Sequence, residues 1–155
     1  MMYYTHLAFG FLLSLIFVDL INVENKILFI LIVVFFSIFP DIDETRSKIS
    51  KEIKIVSRII NFIFGHRKFI HTIYLPILFF ILFNLINFEI AVAALIGYFS
   101  HLFMDAITKQ GIKPFYPLYN KRINGPFKTN SFLEKIIFLV IIVLIWSTLM
   151  AGDPY

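Results

Sequence analysis

Four histidines and five aspartates hold most of the chemistry open to this chain, which contains no cysteine. The histidines are His6, His66, His71 and His101; the aspartates are Asp19, Asp41, Asp43, Asp105 and Asp153. Neutral imidazole with carboxylate suits zinc and related divalent metals. The lack of cysteine excludes thiolate metal sites, cysteine nucleophiles and disulfides. His101 and Asp105 are four apart, so a helix sets them on one face, where they can bind together. His66 and His71 are five apart, a looser fit that needs a helix start between them. Asp41 and Asp43, in Pro40-Asp41-Ile42-Asp43, can both point inward from a tight turn. Alternatively, one is a ligand and the other orients a histidine. A single ion needs three or four protein ligands, so this supply allows one metal or two.

The elements that must position these groups are greasy. Of 155 residues, 59% are hydrophobic and only 15% charged, against about a quarter charged in a soluble domain. This composition reads as one membrane-embedded, all-α domain over residues 1–155. Five stretches approach the ~20 residues that cross roughly 30 Å of hydrocarbon. They are Tyr3–Ile21, Lys26–Phe39 (short), Phe69–Phe88 with Pro76 as a kink, Phe88–Met104, and Phe132–Met150. The first is expected to be retained, having no Lys or Arg before it and no small-residue cleavage site after it.

Thirteen of the fourteen basic residues fall in the two long connections, 40–68 and 106–135. Five spans put both connections on one side, and the bias of Lys and Arg makes that side cytoplasmic. The N-terminus is then inside and the C-terminus outside. Basic residues spent this way report orientation, so no nucleic-acid partner is expected. Within the first connection, Ile49, Ile53, Val56, Ile60 and Ile63 form a helical stripe, with Lys51, Lys54 and Arg58 on another face. Residues 49–64 therefore read as an amphipathic helix in the headgroup layer. The second, with Pro114, Pro117 and Pro126, reads as an irregular interfacial loop or lid.

On this layout all four histidines, with Asp41, Asp43 and Asp105, arrive at the cytoplasmic face, while Asp19 and Asp153 fall on the other. Ionisable groups near a bilayer are costly and mostly functional or paired. Residues from four helices converging in one layer read as a metal or proton-handling site.

These residues carry a resemblance. Thr5-His6, Phe39-Pro40-Asp41-Ile42-Asp43, His66-Arg67 with His71, and Gly97-Tyr98-Phe99-Ser100-His101 with Asp105 look like the YdjM-type family of membrane-bound metal-dependent hydrolases. Thr108, Gly111 and Pro117 resemble that family's closing segment. The likeness runs from His6 to about Pro117 and departs from the family pattern at Lys68, Ile70 and Thr72. A fainter similarity, in the order His6, Asp41, His66, His101 and Asp105, is to zinc-dependent phospholipase C.

The resemblance implies a metal-dependent hydrolase facing the cytoplasm. His6, Asp41, His66, His101 and Asp105 would ligate one or two divalent ions, zinc first, with Mn2+ or Fe2+ as alternatives. Asp43 or His71 would be a further ligand or the general base, and Arg67 would hold a phosphate by paired hydrogen bonds. The expected partner is membrane lipid, as surroundings and as a phosphoester substrate; the oligomeric state stays open. Two other readings compete. A proton- or ion-coupled transporter would place ionisable groups at several depths. A non-catalytic anchor would recruit a cytoplasmic partner through the basic connections.

Overall fold

The computed structural model describes residues 1–43 and 69–151. These form five α-helices: α1 (Tyr3–Leu20), α2 (Lys26–Ile38), α3 (Tyr74–Asn84), α4 (Phe88–Ala106) and α5 (Phe132–Ala151). A 3-10 turn, Phe39–Asp43, continues α2. Among the described residues there is no β-strand, only two isolated bridges. The expected amphipathic helix at 49–64, with His66, Arg67 and Lys68, lies outside the described residues.

Short polar turns start two of the helices. Asn25 caps α2 by accepting from the Leu28 N–H at 3.0 Å, and Asn87 caps α4 by accepting from the Ile90 N–H at 3.1 Å. Each satisfies one of the N–H groups that a helix start leaves without a partner. α4 stands at the centre, packed against α1, α2 and α3, while α1 also packs against α2 and α5.

Small residues make that centre possible. Gly97 of α4 lies against the backbone of Val33 and the side chain of Phe36, and Gly10 of α1 lies against Ser37. Ala91, Ala93, Ala94, Ser14 and Ser100 are buried beside them. Close approach of backbones over small residues is how helices associate where lipid removes the hydrophobic drive.

α1, α4 and α5, at 18, 19 and 20 residues, are long and apolar enough to cross a membrane. Only 11% of the α5 span is buried within the protein, so its apolar side chains face outward. The other two expected spans are shorter as helices. α2 and α3 have 13 and 11 residues and reach about 20 and 17 Å at 1.5 Å per residue, short of roughly 30 Å. The third differs most: Phe69–Ile73 forms turns rather than helix. Pro76 does not kink a helix; it sits in the first turn of α3, where its missing N–H costs nothing.

The connection from α4 to α5 is tightly closed. Ile112 and Ile123 exchange two backbone hydrogen bonds of 2.9 Å, and the Lys109 N–H donates to Phe127 O at 2.7 Å. Gly111 turns the chain with φ +59°, where any side chain would also run into Ile123 and Asn124. This hairpin-like segment is rooted beside α3, since the Ile73 N–H donates to Pro114 O at 3.0 Å.

A buried histidine and aspartate cluster

His101 is fully buried on α4 and organises the site. Its Nδ1 lies 2.9 Å from the backbone carbonyl of Ser37. A carbonyl only accepts, so Nδ1 carries the proton and Nε2 presents its lone pair. Three donor atoms face that nitrogen: His71 Nε2 at 3.4 Å, Asp105 Oδ2 at 3.6 Å and Asp41 Oδ1 at 3.8 Å. His71 Nε2 and Asp105 Oδ2 are 3.5 Å apart. His71, His101 and Asp105 thus make a nearly equilateral triangle of donors.

The other side of Asp105 faces α1. Its Oδ1 lies 3.3 Å from His6 Nε2 and 2.6 Å from the Met1 amine. The rings of His6 and His101 stack with centroids 4.0 Å apart. His6 is 1% exposed, and neither ring nitrogen has a partner in hydrogen-bonding geometry among the described residues. Burying polar nitrogens in this way costs free energy unless something else binds them.

Two overlapping groups have donors close enough to share an ion, His6–Asp41–His101 and His71–His101–Asp105. Donors on one tetrahedral zinc stand about 3.3–3.5 Å apart, given bonds of about 2.0–2.1 Å. The 3.4, 3.5 and 3.6 Å edges of the triangle match that spacing. Both groups use His101, whose only lone pair is on Nε2, so both cannot bind separate ions through it. The donor set therefore fits a metal centred on His101. Burial pushes the Asp41 carboxyl above the usual carboxylate range, opposed chiefly by the neighbouring His101.

Each donor is held from several sides. Asp41 rides on the 3-10 turn that ends α2. His71 lies in the turn before α3, whose backbone is fixed when the buried Tyr98 hydroxyl donates to Ile70 O at 2.8 Å. The Thr108 hydroxyl donates to Asp105 O at 2.8 Å and accepts from the Gly111 N–H at 3.2 Å, tying the end of α4 to the following hairpin.

Of the residues expected from sequence, His6, Asp41, His71, His101 and Asp105 come together. Asp43 belongs to the same 3-10 turn as Asp41, but its side chain is outside the described residues, as are His66 and Arg67. His71 stands in the donor triangle and not apart from it.

Sequence reasoning missed Glu134. It is fully buried at the start of α5, accepting from the Met2 N–H and the Thr5 hydroxyl through Oε1 and from the Asn130 N–H through Oε2. It therefore caps the first turn of α1, one residue before His6, from the other end of the chain. A signal was present: Ser131-x-x-Glu134 before an apolar run is a capping box, although the box does not say that the glutamate also serves a second helix. Glu134→Ala removes the acceptor of three donors, of which the Thr5 hydroxyl is fully buried, and an unsatisfied buried group costs about 1–3 kcal/mol. The denaturation midpoint is expected to fall, with Glu134→Gln intermediate because its one carbonyl oxygen can serve only one side. Midpoints unchanged in both variants would show that the clamp does not form.

Comparison with known proteins agrees with a membrane reading. The pattern of a family described as YdjM inner membrane protein matches residues 1–153. The uncharacterized protein YvsG of Bacillus subtilis (strain 168) is 38% identical over 104 residues. That match covers 65% of this chain and 65% of YvsG, so the chain spans about two thirds of this relative. No solved structure matches significantly. These comparisons lend no support to the phospholipase C similarity.

Proposed function

The chain belongs to the YdjM inner membrane protein family, and from that premise we propose that it is a membrane-embedded, metal-dependent hydrolase. The observation that carries this reading is the buried triangle of His71, His101 and Asp105, with His6 and Asp41 beside it.

His71, His101 and Asp105 would hold one divalent ion, with one of His6 and Asp41 as a fourth ligand. The ion would be zinc by the mix of imidazole and carboxylate, with Mn2+ or Fe2+ as alternatives. When bound, such an ion supplies Lewis acidity and a water-derived nucleophile near neutral pH. The protein's own part is positional. Ser37 O sets the tautomer of His101, a role of the kind that orients metal-binding histidines elsewhere. Since His71 sits among the donors, Asp43 is left as the base that moves the nucleophile's proton. His66 would be an alternative for the fourth ligand place and Arg67 a clamp on a phosphoester oxygen.

The proposed orientation places the site and the N-terminus at the cytoplasmic face. There a lipid phosphoester could reach the site sideways from the bilayer. A transporter would need ionisable groups at several depths, whereas the donors described here sit together at one end of the helices.

Elemental analysis of purified protein tests the proposal, with about one divalent ion per chain expected. Stripping the ion with a chelator should lower the melting temperature. An ion present at 100 times its Kd adds about 2.7 kcal/mol of stability, and that shift should return on adding zinc. Protein that purifies without metal and shows no thermal response to zinc, manganese or iron would sink the proposal.

A further inference from the structure

We infer that the hairpin-like segment between α4 and α5 is a docking surface for the headgroups of anionic phospholipid. The inference goes beyond the hydrolase reading and does not depend on it. Residues 107–131 contain Lys109, Lys113, Lys121, Arg122 and Lys128 and not one carboxylate. Among the described residues none of these five forms an ion pair; Lys113 is bound only to the neutral Asn120 side chain, at 2.7 Å. The same segment exposes large apolar side chains: Leu118 is 84% exposed, with Phe115, Tyr119 and Ile123 also outward.

A loop in water gains nothing from showing a leucine and two aromatics. In the headgroup layer, by contrast, apolar side chains enter the acyl boundary while cations meet lipid phosphate. The hairpin begins three residues after Asp105, at the end of a helix long enough to cross the membrane, so it leaves the bilayer where that layer lies. Each basic residue near an anionic surface strengthens association by about fivefold, so the charge selects anionic over zwitterionic lipid. If the nearby cluster is a hydrolase, the lipid gathered here sits beside it.

The absence of cysteine makes the test direct, because a single introduced thiol takes a nitroxide label uniquely. Full-length Leu118→Cys, labelled, is placed in vesicles of phosphatidylglycerol with phosphatidylcholine and in vesicles of phosphatidylcholine alone. In the anionic vesicles the label should collide with oxygen and be shielded from a water-soluble nickel complex. It should become nickel-accessible in phosphatidylcholine and in the Lys121→Gln, Arg122→Gln background. A label equally open to nickel in both vesicles overturns the inference and makes the segment a solvent loop or a site for a soluble partner. A label equally shielded in both overturns it too, since apolar contact alone would then hold the segment. Metal content of the same samples, on which the hydrolase reading stands, is measured separately.

Discussion

His101→Ala is expected to lower metal affinity by more than about 100-fold, beyond the 10–100-fold typical when only an outer partner of a ligand is lost. His101 is the one residue common to both groups of donors, so its removal opens both at once. The same change removes the ring stacked on His6 and leaves the Ser37 carbonyl without its partner. Any phospholipid hydrolysis should disappear with the metal. Asp19→Asn is the control: Asp19 is exposed at the other end of α1 and, among the described residues, pairs with Lys26 at 3.2 Å. Elemental analysis and single-turnover hydrolysis on the three proteins decide the matter. Equal metal content in His101→Ala and the parent protein would refute the ligand role.

Gly97→Leu should have the largest effect on the fold itself. A Cβ at position 97 would already be 2.8 Å from Phe36 Cβ and closer still to the Val33 carbonyl, a backbone atom that cannot swing aside. Overpacking a core costs about 1–3 kcal/mol for modest insertions and more when the backbone must move. Leucine here would have to push α2 away from α4, carrying Ser37 and Asp41 off His101. We expect little folded protein in detergent, with Gly97→Ala folded but less stable. Phe99→Ala, on an outward-facing position of the same helix, should behave like the parent. A Gly97→Leu protein as stable as the parent, judged by size-exclusion profile and melting temperature, would show that the helices do not meet there.

Much of the site is legible in the residues themselves. The four-residue spacing of His101 and Asp105 places both on one helical face whatever surrounds them, and both reach the cluster. His6 and Asp41 follow from apolar runs long enough to fix which end of each helix they occupy. His71 is less readable. Its run of apolar neighbours reads as the start of a span, yet the chain turns until Ile73 because Tyr98 and Pro114 capture its backbone. Those are tertiary contacts that no local pattern records. The lengths of α2 and α3 are obscured for a related reason: periodicity finds apolar helix, but cannot separate a helix buried by its neighbours from one that crosses lipid alone. Glu134 is hidden by distance, since its partners on α1 lie more than a hundred residues away.

That distance has a consequence for biosynthesis. Thr5 and Glu134 are 129 residues apart, so the ribosome must make all of the chain between them before the clamp on α1 can close. His6 emerges long before Glu134, so its helix turn is secured late. The support of the cluster is thus completed only when α5 arrives. A nascent chain stopped before residue 132 would carry every described histidine and aspartate of the cluster and still lack the group that steadies the first of them.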